Sequence, residues 1–123
     1  VLQAKEYAEQ EFRLSEAQSD GNSLRSHLEV VHKATKVLPE QLQNLVALPD
    51  SIKEVWMYFL DLNSTRPSGF GISPISYSEM LAYFTLNDIQ VNQEEVQLIR
   101  MFDNAAITSS REQEKKREKK AKK

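Results

Sequence analysis

The chain has 123 residues with a formal net charge of -2, 40% hydrophobic and 28% charged side chains, and no cysteine. That length suits one domain, which can bury roughly two thirds of its unfolded surface and fold without staples. The missing cysteines exclude disulfides, thiolate zinc sites, iron-sulfur clusters and cysteine nucleophiles. No apolar run reaches the roughly 18 residues of a membrane span, and the charged stretch Val1 to Phe12 does not read as a signal peptide, so the expectation is a soluble intracellular protein. Opening on Val1 rather than Met is compatible with a processed, trimmed or internal piece of a longer product. Charge is split along the chain: residues 1–107 carry 8 basic and 15 acidic side chains, about -7, while residues 108–123 carry 8 and 3, about +5. An acidic body argues against a domain that reads nucleic acid, because sequence-independent binding there comes from Lys and Arg on phosphates.

In chain order, Leu2 to Ser19 is rich in helix formers, with Ala4, Ala8 and Phe12 as a narrow apolar stripe, and ends at Asp20-Gly21. Ser23 is an N-cap for a second helix carrying Leu24, Leu28 and Val31 on one face. Pro39 opens a short helix through Leu45. Asp50 or Ser51 caps a third main helix, whose run Ile52 to Leu62 is apolar at 8 of 11 positions and so meets water on little of its circumference. Arg66 to Pro74 is too dense in Pro and Gly for a regular element and reads as an ordered loop, with Phe70 set against the core. Ser76-Tyr77-Ser78-Glu79 has capping-box spacing and opens a helix to about Leu86 bearing Met80, Leu81 and Phe84. After an Asn87-Asp88 turn, Asn92 to Glu95 repeats that pattern before a last helix with Val96, Ile99 and Phe102 facing inward. From Thr108 the composition predicts disorder or a frayed helical extension. The fold class expected is all-α, a bundle of about five helices with an ordered loop and a disordered basic tail.

Little of this points to catalysis. His27 and His32 sit about 140° apart on a helix, unsuited to sharing a metal. There is no nucleophile elbow, Glu94 and Glu95 point to different helix sides, and Gly69-Phe70-Gly71 lacks the rest of a dinucleotide fingerprint. We expect no enzyme, no cofactor and no metal. The apolar helix around Trp56 admits two readings. In one, Val55, Trp56, Phe59 and Leu62 are core and Met57, Tyr58 and Leu60 fill the other flank. In the other, Met57 and Tyr58 with Phe70 and Tyr77 stay accessible as a groove for a partner helix, a use that suits Met and Tyr.

Gly21 to Leu28, Pro39-Glu40-Gln41-Leu42, Trp56 and Phe59 before Leu62, then Arg66, Ser68-Gly69-Phe70-Gly71, Pro74-Ile75-Ser76-Tyr77 with Glu79, and the later Leu98 and Asp103 resemble the tail assembly chaperones of long-tailed, siphovirus-type bacteriophages and prophages. The resemblance covers residues 21–107. It leaves residues 1–20 as an N-terminal helical extension and residues 108–123 as a basic tail. An aromatic residue expected shortly after Asp103 is replaced by Ala105-Ala106-Ile107.

What the resemblance implies is a non-enzymatic role in the host cytoplasm: binding the tape-measure protein, keeping it soluble, and helping recruit tail-tube subunits. Homo-oligomers are compatible with it. On this reading Trp56, Tyr58, Phe70 and Tyr77 build or border the tape-measure groove, Arg66 fixes the loop, and the Lys-rich end steers. The alternative is a structural tail or head-tail component that stays in the virion. A small RNA-binding protein acting through residues 111–123 is the weakest reading, because of the acidic body.

Overall fold

A computed structural model of the chain describes residues 2–66 and 72–121. Five helices follow one another: α1 (Leu2–Leu14), α2 (Leu24–Thr35), α3 (Lys53–Ser64), α4 (Tyr77–Leu86) and α5 (Gln93–Ala121). Two single 3-10 turns, Glu40–Leu42 and Asp50–Ile52, lie between α2 and α3. Among the described residues the only β-type pairing is an isolated bridge between Ala17 and Ser23.

Short-range chemistry sets the helix ends. Ser23 caps α2 by accepting from the Ser26 N–H at 3.2 Å. The chain turns into it through Gly21, whose φ of +86° suits glycine. At the start of α5 the capping box is reciprocal: Glu95 N–H donates to Asn92 Oδ1 at 2.8 Å, and Asn92 N–H donates back to Glu95 Oε1 at 3.2 Å. The end of α4 is a Schellman motif. Asp88 adopts left-handed φ of 54°, its N–H reaches Thr85 C=O, and Ile89 N–H reaches Phe84 C=O at 2.9 Å.

The core lies where α1, α3, α4 and α5 meet. Trp56 stands at its centre, stacked on Phe59 and met edge-on by Tyr7 of α1 and Phe102 of α5. Val55, Trp56, Phe59 and Leu62 are all buried, as the first reading of α3 expects, but Met57 and Leu60, 56% and 38% exposed, fill no second flank because no element packs over that side of α3. Ala4 and Ala8 are fully buried, their small side chains facing the same cluster as Ile99, Phe102 and Ala106. α1 is thus packed into the core that α3 to α5 share.

Across α1 runs the extended stretch that leads to α3. The buried amide of Gln10 accepts from Val46 N–H at 2.7 Å and donates to Val46 C=O at 3.1 Å, imitating a strand partner. Arg25 of α2 grips Glu11 of α1 with two bonds of 3.0 and 3.2 Å.

Several expectations shift. Neither Asp50 nor Ser51 caps α3: both lie in the 3-10 turn before it, and Ile52 stands at the helix start with no side-chain cap. α1 stops at Leu14 rather than Ser19, because residues 15–22 form a turn in which Glu16 C=O accepts from Leu24 N–H. The short helix after Pro39 is a single 3-10 turn. Leu81 of α4 and Val31 of α2 face outward, since no element packs over their sides of those helices. Finally, α5 continues through the basic segment to Ala121, so the disordered reading gives way to the helical one. Extending a helix already nucleated in the core needs only good formers, which Glu, Gln, Lys and Arg supply. One ion pair, Lys116 Nζ to Glu16 at 3.6 Å, ties the extension back to the body.

Candidate functional site

The segment between α3 and α4 is bracketed by a buried ion pair. Arg66, just past the end of α3, reaches Asp103 of α5, and the two side chains are 9% and 5% exposed. The guanidinium also donates to Asn63 Oδ1 at 3.1 Å and to Ser73 C=O at 2.8 Å. The other Asp103 oxygen accepts from the Ile75 N–H at 2.9 Å. Among the described residues no buried side-chain polar atom lacks a partner. One carboxylate therefore holds both the entry and the exit of the segment. A buried pair survives desolvation only when its remaining hydrogen bonds are satisfied in this way.

That latch delivers the chain to Ser76, whose hydroxyl caps α4 by accepting from Glu79 N–H at 3.1 Å. Tyr77 follows at the first helical position, 60% exposed, with the Arg100 guanidinium 5.3 Å from its ring centre and donating to its hydroxyl at 2.7 Å. Next to Tyr77 lies an apolar groove of about 380 Å³ between α4 and the first turns of α5. Its walls are Tyr77, Leu81, Ile89, Val91 and Val96, with Met80 and Phe84 beneath. Leu81 is 69% exposed there. The Schellman turn swings Ile89 back over Phe84, so the helix stop itself forms one wall.

On the α3 side, two tyrosine hydroxyls rest on carboxylates: Tyr58 on Glu54 and Tyr83 on Asp61, both at 2.7 Å. The hydrogen bond to Glu54 holds the Tyr58 hydroxyl protonated and pushes its pKa up to about 12. Burial, then the bond to Asp61, does the same for Tyr83, also to about 12.

Among the five residues read as partner-binding from the sequence, Tyr77 lines the groove. Tyr58 is half-buried, its ring packed edge-on against Phe84. Arg66 sits in the latch. Trp56 is core: Tyr7, Phe12, Phe59 and Phe102 surround it, it is 8% exposed, and it is not part of the groove wall. Phe70 lies outside the described residues. Sequence reasoning missed Leu81, Ile89, Val91 and Arg100 as surface partners of Tyr77. The i, i+4 relation of Tyr77 to Leu81, offset from Met80 and Phe84, was the available signal.

The sequence profile of the phage tail assembly chaperone family matches residues 31–108. The chain belongs to that family. No curated protein and no solved structure matches it. The matched stretch holds the latch, the groove, α3, α4 and the buried part of α5 of the tail assembly chaperone, whereas α1 and the basic end of α5 lie outside it. The family is non-catalytic and its members work with tail proteins. Among the described residues no helix is long and apolar enough to cross a membrane, and no three metal-ligating side chains gather.

Proposed function

We propose that the groove between α4 and α5 binds exposed helical segments of the tape-measure protein in the host cytoplasm, keeps that protein soluble, and helps recruit tail-tube subunits. The single observation that supports this reading is an apolar groove of about 380 Å³ walled by exposed Tyr77 and Leu81 within the family-matched stretch. A holding protein needs such a face: each contact is weak, and repetition along a long client supplies the retention. Arg100, over the ring of Tyr77, sets a cation beside the groove that can take an acidic side chain of the client.

Co-expression with the tape-measure protein of the same phage, followed by solubility and pull-down, tests the reading. The wild-type chain should raise the soluble fraction, and Leu81→Asp, a change at an exposed position, should remove the effect while leaving helical content unchanged. Equal solubility of the client with and without the chain would sink the proposal.

A further inference from the structure

The charge split of the sequence becomes a geometric fact in α5. Past Ile107, the last buried residue, the helix carries Arg111, Lys115, Lys116, Arg117, Lys119 and Lys120 in the open, against three glutamates. Among the described residues, Lys116 alone of these cations has an ion pair within the chain.

The outer face of α3 carries the opposite charge, its one cation, Lys53, being neutralised by Asp50 at 2.6 Å. Met57 and Leu60 are 56% and 38% exposed there, with no helix over them. Glu54 and Asp61 flank them, their carboxylates steadied by the hydroxyls of Tyr58 and Tyr83 and free of ion pairs among the described residues. Lysine and arginine stems can lie over Met57 and Leu60 while their charged heads reach those carboxylates.

The lysines of the arm cannot reach this face of their own chain. α3 crosses α5 at the level of Phe102, which touches Trp56 and Phe59. Lys115 and Lys120 lie farther along the same continuous helix, about 20 and 27 Å at 1.5 Å per residue, beyond the span of a lysine side chain.

We propose that the cationic end of α5 docks on the outer face of α3 of a second copy, joining copies head to tail. The two surfaces differ, so the contact is heterologous: each docked copy offers a new arm and a new face, and the assembly grows as a ring or an open row. The α4–α5 groove takes no part, so this proposal stands or falls apart from the tape-measure reading.

Sedimentation velocity of the full chain, from about 0.05 M salt to about 1 M salt, where screening acts within about 3 Å, is the test. The average mass should rise with concentration at low salt and return to the monomer at high salt. Reversing the arm (K115E/K119E/K120E) or the face (E54K/D61K) should each weaken association at least about tenfold, and mixing the two variants should restore it. Should either reversal lose helical circular dichroism, the neutral sets K115Q/K119Q/K120Q and E54Q/D61N are read in its place, with weaker association expected. A wild-type chain that stays monomeric throughout overturns the proposal. So do variants that associate like wild type, a mixture that fails to recover, and association that disappears on nuclease treatment, which would assign the arm to nucleic acid.

Discussion

Arg66 and Asp103 stand 37 positions apart in the chain and meet in a buried ion pair that also fixes the Ile75 backbone. Removing one partner leaves the other charge buried and unmatched, which costs more than the pair contributes. Asp103→Ala should therefore lower unfolding stability by about 3–5 kcal/mol in denaturant titrations. Asp103→Asn keeps an acceptor for Ile75 and should cost less. Equal loss for both would mean that the charge is immaterial.

Tyr58 and Tyr83 should titrate late. With their hydroxyl pKa values raised from 10.0 to about 12, the stability they contribute is present below about pH 10 and is lost as pH rises through about 12. Absorbance at the phenolate band should show both of them ionising near the top of the range. Glu54→Gln should bring Tyr58 back down and leave Tyr83 in place.

Ala8 is fully buried where α1 meets the shared core. Extra methylenes at such a close approach force a backbone shift, so Ala8→Leu should cost about 1–3 kcal/mol. If it costs nothing, α1 is not held against the core, and residues 1–20 behave as the separate extension that the family resemblance implies.

Asp88 holds the left-handed position of the Schellman turn. Asp88→Val should destabilise by about 1–2 kcal/mol, whereas Asp88→Gly should be neutral or stabilising. Because the same turn positions Ile89, Asp88→Val should also weaken client solubilisation more than its stability loss accounts for. Parallel melting and co-expression assays separate the two effects.

The parts legible in the sequence are those fixed by near neighbours. Ser23, Ser76 and the Asn92 to Glu95 box each cap the helix their spacing announces, and Val55, Trp56, Phe59 and Leu62 of the dense apolar run pack as core. The parts that escaped depend on what lies across the fold. Periodicity puts Leu81 beside Met80 on α4, yet only the arrangement of α3 and α5 decides that Met80 is covered and Leu81 is not. The Arg66–Asp103 pair joins two loop and helix positions whose partnership no local pattern records. Composition shows that residues 108–121 have nothing to bury, but the helix feeding into them makes propagation cheap.

Trp56 is the chain's one tryptophan, and it is wedged between α1, α3 and α5. The protein therefore carries a built-in optical reporter of its own integrity. Indole emission should stay blue while these three helices remain together and move to the red when any one of them lets go. The same enclosure makes that signal blind to occupancy of the α4–α5 groove, so a dye or label near Leu81 is needed to watch a client arrive.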